Sequence, residues 1–189
     1  MKTEQLVSKV TDLGKDYFSI NDLRQLFPEE GNLKISIKRL VDRRVIIRIA
    51  KGIYCLKIGD LDTEKIATQV YTPCYISFES ALSKYGVINQ GFNKITLATT
   101  RHSKLMRLAG IECEYIYLKP SLFFGFNLTK NIYLAEPEKA LLDEIYLITL
   151  GKRKINRDEW NMEGLSKSKI YGYVKIYPTI VGKTVREML

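Results

Sequence analysis

Eight polar residues between Asn32 and Lys51 have the types and spacing for recognising a polyanion. Lys34, Lys38, Arg39 and Arg43 recur along one short stretch, and Asn32 and Ser36 stand among them. Arg48 and Lys51 follow just downstream. Lysine and arginine neutralise phosphates, while asparagine, serine and arginine can also hydrogen-bond base edges. A catalytic constellation is harder to find. The single histidine, His102, lies in the polar run Thr99-Thr100-Arg101-His102-Ser103, with no nucleophile marked as its partner. Glu136, Glu138, Asp143 and Glu144 form one group of acids and Asp60, Asp62 and Glu64 another. Both read as helix-terminal or solvated carboxylates. No glycine-rich phosphate loop occurs. The three cysteines, Cys55, Cys74 and Cys113, are too widely spaced for a zinc motif or a disulfide framework, so reduced structural thiols are expected. The expectation is a protein that is not an enzyme, with no metal and no cofactor.

The elements that must position the polyanion-binding residues are legible from Phe18 to Leu56. Ser19 can cap a helix whose apolar face is Ile20, Leu23, Leu26 and Phe27. Pro28 and Gly31 punctuate a turn, and a second helix opens at Asn32, with Leu33, Ile37, Leu40 and Val41 as its buried stripe. Most of the basic residues fall off that stripe. Val45, Ile46, Ile47 and Ile49 then form a strand, Lys51-Gly52 a turn, and Ile53, Tyr54 and Leu56 the return strand. Helix, turn, basic helix and hairpin in this order outline a winged helix-turn-helix, which lays its second helix in the major groove of duplex DNA. A helix from about Thr3 to Leu13 is expected to pack on it.

Charge is distributed unevenly over the 189 residues, whose net charge is +9. Residues 1–58 carry 12 Lys+Arg against 7 Asp+Glu, residues 59–150 carry 9 against 10, and residues 151–189 carry 9 against 4. The first excess fits a DNA reader, since cations release the counterions of the phosphate backbone. The last is open between a second backbone contact, an acidic partner and simple solubility. No apolar run can span a bilayer and the N-terminus has no signal-peptide pattern, so the cytoplasm is the expected compartment and no membrane the expected partner.

The expected boundary follows the hairpin, at Lys57-Ile58-Gly59-Asp60, giving a DNA-binding domain over residues 1–58 and a second domain over 59–189. The second reads as a mixed α/β domain with a helical C-terminal end, so the fold class overall is α+β. Within it a helix is expected from Asp62 or Thr63 to Val70, broken by Thr72-Pro73. A second helix, capped by Ser77, closes at Gly86. Strands are expected at Lys94–Thr99, Glu112–Leu118 and Asn131–Ala135, and a short helix at His102–Ala109. Pro137 opens a helix to about Leu150, and two or three tail helices break near Gly164, Gly172 and Pro178.

Three segments together carry a resemblance: Lys51-Gly52-Ile53-Tyr54, the stretch Thr72 to Gly86 (TPCYISFESALSKYG), and Ala135 to Asp143 (AEPEKALLD). In order and spacing they resemble the AbiEi family of antitoxins, regulators in type IV toxin–antitoxin and phage-defence loci. The likeness covers most of the chain and thins in the last few tens of residues, and the chain is shorter than many members. It implies a winged helix that binds operator DNA and represses its own operon. It also implies a second domain that counters a nucleotidyltransferase-like toxin without a stable complex. Tyr75, Ser77, Glu79, Ser80, Ala81, Leu82 and Gly86 match the first motif of that domain; Glu138, Lys139, Ala140, Leu141 and Asp143 match the second. Glu79, Lys139 and Asp143 are its polar candidates for antitoxin function. Two other classes stay open. One is a nucleic-acid-modifying enzyme tethered to DNA, using His102 and Glu138; the other is a repressor that senses a small ligand. A dimer on paired half-sites is also open.

Overall fold

A computed structural model describes residues 2–57, 59–89, 94–154 and 160–188. The protein is α+β and divides into two compact units, Met1–Val70 with Arg107–Ile111, and Tyr71–Met106 with Glu112–Leu189. The first unit thus extends past Lys57 and takes in one further helix.

In the first unit the elements are α1 (Thr3–Thr11), β1 (Phe18–Ser19), α2 (Ile20–Leu26), α3 (Leu33–Asp42), β2 (Ile46–Ala50), β3 (Ile53–Leu56) and α4 (Thr63–Val70). The three strands pair antiparallel in the order β1-β3-β2. Ser19 caps α2 as its sequence suggests, and Asp22 completes the box: the Asp22 N–H donates to Ser19 Oγ at 3.1 Å, and the Ser19 N–H to Asp22 Oδ2 at 2.6 Å. Burial pushes the Asp22 carboxyl up, but the Ser19 bonds and the Lys15 charge outweigh it and hold the group below its ordinary value. Gly52 takes φ +76°, which the tight β2–β3 turn requires. Leu6, Val10, Phe18, Leu23, Phe27, Ile37, Leu40, Ile46 and Tyr54 close one apolar core.

The second unit holds most of a six-stranded sheet: β4 (Cys74–Ile76), β5 (Lys94–Thr99), β6 (Lys104–Leu108), β7 (Ile111–Tyr117), β8 (Phe126–Thr129) and β9 (Ile132–Ala135), in the order β6-β7-β5-β4-β9-β8. β5 runs parallel to β7 and β4 parallel to β9, while β4–β5 and β8–β9 are antiparallel. Its helices are α5 (Phe78–Lys84), α6 (Pro137–Thr149), α7 (Lys167–Tyr173) and α8 (Thr179–Met188). α6 is the centre, touched by α5, α7 and α8 and buried from Glu138 through Leu147.

Two local expectations are corrected. Lys104–Leu108 is a strand, not part of a helix. Ala109 and Gly110, at φ +49° and +88°, make the tight turn that pairs it with β7, and strand pairing overrides helix propensity there. Gly172 lies in the last turn of α7, which ends at Tyr173, and a second break falls at Pro178, both as expected. Ser77 precedes α5 but makes no cap bond, because its hydroxyl is used elsewhere. β4 and β8 had no strand reading in the sequence. No helix among the described residues is long and apolar enough to cross a membrane.

Candidate functional site

The residues expected to meet a polyanion sit where α3 and the β2–β3 hairpin leave the core. α3 buries Ile37 and Leu40 inward, and Leu33 and Val41 are half-covered. Lys34, Lys38, Arg39 and Arg43 are exposed on the remaining surface, and among the described residues none of them forms an ion pair. Arg48 and Lys51 are exposed on β2 and the turn; Arg48 Nε donates to the Ala50 carbonyl at 3.3 Å, which steers its side chain along the hairpin. Two more of the eight have local work. Asn32 caps α3, its Oδ1 accepting the Ile35 N–H at 3.4 Å, and Ser36 Oγ donates to Glu30 Oε1 at 2.7 Å. Arg24 is a residue that the sequence reading missed. With Phe27, Pro28, Glu30, Gly31, Asn32, Leu33 and Lys34 it lines an open cleft of about 490 Å³ beside the start of α3. Its place off the apolar face of α2 was the available signal.

In the second unit Lys139 and Asp143 come together one turn apart on α6, both fully buried. Lys139 Nζ hydrogen-bonds Asp143 Oδ1 directly and donates to the Tyr177 hydroxyl at 2.7 Å. Asp143 also accepts from the hydroxyls of Tyr75 at 3.1 Å, Ser77 at 2.8 Å and Tyr177 at 2.8 Å. The ammonium stands 5.0–5.5 Å from the ring centroids of Tyr75, Phe124 and Tyr177. Gly125 closes the cage: at φ +67°, a Cβ there would lie 3.2 Å from Lys139 Cγ. Burial pulls the Lys139 ammonium below its ordinary pKa although Asp143 pulls it up, and burial and Asp143 together push both tyrosines far up. This is a sealed, saturated ion pair, suited to fixing α6 against β4 and the tail.

Glu79 is not part of it. Its Oε1 lies 2.8 Å from Arg153 Nε, and Arg153 Nη2 reaches Glu114 at 2.8 Å, which Lys94 also meets at 2.8 Å. Buried Glu144 stands in the same neighbourhood. Burial, and then the Glu79 charge, push its carboxyl up to about 8, so it holds its proton at neutral pH. The second oxygens of Glu79 and Glu144 are buried without a hydrogen-bond partner.

Glu138, read as a helix-terminal acid, is buried and accepts the Ser166 N–H at 3.0 Å; Glu136 binds Tyr173, Asn127 and Lys169. His102 is exposed, and its carbonyl accepts from the Tyr71 hydroxyl. All three cysteines are buried, and burial, with Cys113 close by, pushes the Cys74 thiol up to about 12. Among the described residues no group of three or more histidine, cysteine or carboxylate side chains has the arrangement to hold a metal ion. The fold and site define a two-unit α+β protein with a free cationic helix face. No protein-family model matches the chain, and no curated protein does.

Proposed function

We propose that the first unit is a winged helix-turn-helix that binds duplex DNA through α3, with the β2–β3 hairpin as its wing. The observation that carries the proposal is the cationic face of α3, where Lys34, Lys38, Arg39 and Arg43 stand exposed and, among the described residues, form no ion pair closer than 4 Å. A ten-residue helix is about 15 Å long, enough to lie along a major groove about 12 Å wide. The element order and the β1-β3-β2 sheet support the same reading.

In the wider proposal the chain is a cytoplasmic autorepressor and antitoxin of the AbiEi kind. It represses its own operon and counters a nucleotidyltransferase-like toxin without a stable complex. The sequence likeness carries that part. The polar network of Tyr75, Ser77, Lys139 and Asp143 supports it only to the extent that both matched motifs meet in one core.

The test is fluorescence anisotropy of the purified protein on the DNA upstream of its own reading frame. Lys38→Ala with Arg39→Ala is expected to weaken binding tenfold or more at fixed salt. Intact affinity overturns the assignment of α3. Antitoxin activity is read separately, as growth rescue from a co-expressed toxin encoded in the adjacent reading frame.

A further inference from the structure

The connection after β5 gathers cations that the proposed DNA face does not use. Arg101, His102, Ser103 and Lys104 are consecutive and all exposed. The Arg101 guanidinium lies 4.2 Å from the centroid of the Tyr71 ring and Lys104 Nζ 5.0 Å from it, so two like charges converge on one ring. Neither is ion-paired among the described residues. The loop is held in place: the Tyr71 hydroxyl donates to the His102 carbonyl at 3.0 Å, and Arg101 Nη1 donates to the Thr72 carbonyl at 3.3 Å.

Tyr117 borders this loop. Its N–H donates to Ser103 Oγ at 3.0 Å, which leaves the Ser103 hydroxyl proton free to donate outward. The Tyr117 ring is 45% exposed, and Lys119 follows two positions on, also exposed. Parallel strands β5 and β7 end together here, at the Thr99–Tyr117 pair, so the Ser103 loop and the Tyr117–Lys119 segment lie side by side. The cations do not reflect a generally basic region, since residues 59–150 carry one more acid than base. Yet no aspartate or glutamate occurs in 80–111 or 115–135. The two acids of β7, Glu112 and Glu114, lie about 17 Å and about 10 Å down the strand from Tyr117, and Glu114 is already paired with Lys94 and Arg153.

We infer that Arg101, Ser103, Lys104 and Lys119 hold the phosphates of a single-stranded nucleic acid, with a base stacked on Tyr117. A strand with unpaired bases fits better than a duplex, because an exposed tyrosine beside clustered cations offers a stacking surface that a duplex interior cannot reach. With Ser103 and the cations all assigned to phosphates, RNA and DNA strands of one sequence are expected to bind alike.

The inference is independent of α3, and the experiment keeps it so. The full chain carrying Lys38→Ala and Arg39→Ala is titrated into fluorescein-labelled oligo-dT and oligo-U of about twenty nucleotides, read by anisotropy. Adding Arg101→Ala and Lys104→Ala is expected to weaken binding at least tenfold. It should also flatten the dependence of log K on log salt by about 1.4, roughly 0.7 per cation. Tyr117→Leu is expected to weaken binding about fivefold or more with the salt slope unchanged. Arg101→Lys, which keeps the charge, should keep the slope. All these side chains are exposed, and circular dichroism melts verify that the variants fold. Unchanged affinity after the double cation substitution, or after Tyr117→Leu, overturns the site. Tighter binding of a duplex of equal length overturns the single-strand assignment.

Discussion

Cutting the Lys139–Asp143 pair from either side should cost unequal amounts, and the hydrogen-bond pattern sets the inequality. Lys139→Met removes the ammonium but leaves Asp143 with three hydroxyl donors, from Tyr75, Ser77 and Tyr177. The carboxylate stays well satisfied, and the thioether chain fits the cage of aromatic rings. Asp143→Asn leaves a fully buried ammonium with only neutral acceptors, the Tyr177 oxygen and the amide oxygen. Breaking a buried pair typically costs roughly 3–5 kcal/mol through the stranded charge. We expect Asp143→Asn near the top of that range and Lys139→Met about 2 kcal/mol below it. The double variant buries no charge and keeps a neutral amide among three hydroxyls. It should therefore be more stable than Asp143→Asn alone.

Urea unfolding followed by Trp160 fluorescence measures this. Trp160 is the chain's single tryptophan and bridges to Ile88 in the second unit, so it reports on that unit. Costs that add, with the double variant falling by the sum of the two singles, would falsify the description of a coupled, charge-balanced core. Equal costs would refute the argument from the three hydroxyl donors. The same series separates structure from function. If the pair acts only through stability, growth rescue by each variant should follow its unfolding free energy.

Glu144→Gln should change how stability depends on pH. As pH rises through about 4.5 the unfolded carboxyl ionises, while the folded one keeps its proton up to about 8, so the native protein loses up to roughly 1.4 kcal/mol per pH unit across that window. Glutamine has no proton to lose. Its advantage in urea unfolding should be near zero at pH 4.5 and reach roughly 4 kcal/mol by pH 8, and a constant difference would contradict the buried-acid reading. Ser19→Ala breaks the Ser19–Asp22 capping box and should cost about 1 kcal/mol, seen as a lower urea midpoint with the same slope. Arg48→Ala with Lys51→Ala should weaken binding to operator and unrelated duplexes alike and flatten the salt dependence by about 0.9 per lost phosphate contact. An effect on the operator alone would mean that the hairpin reads bases.

The first unit was legible because its signals are local. Ser19, the spacing of Leu23 and Phe27, and Lys51-Gly52 each act within a few residues, and each does in the fold what its neighbours imply. The second unit defeated the same reasoning wherever a partner was distant. Ser77 has the local setting of a helix cap, but Asp143, 66 positions away, takes its hydroxyl. Lys104–Leu108 carries a helical composition, but it pairs with β7. The acids of α6 read as helix-terminal or solvated because each was weighed alone. The pattern of the whole helix holds the missing signal. Between Pro137 and Thr149 the apolar residues Ala140, Leu141, Leu142, Ile145, Tyr146 and Leu147 leave no continuous polar face. A helix apolar nearly all round must be covered on every side. Charges interleaved in such a helix must then be paired or neutralised, because burying them bare costs several kcal/mol each. Lys139 and Asp143 take the first course and Glu144 the second, by holding its proton.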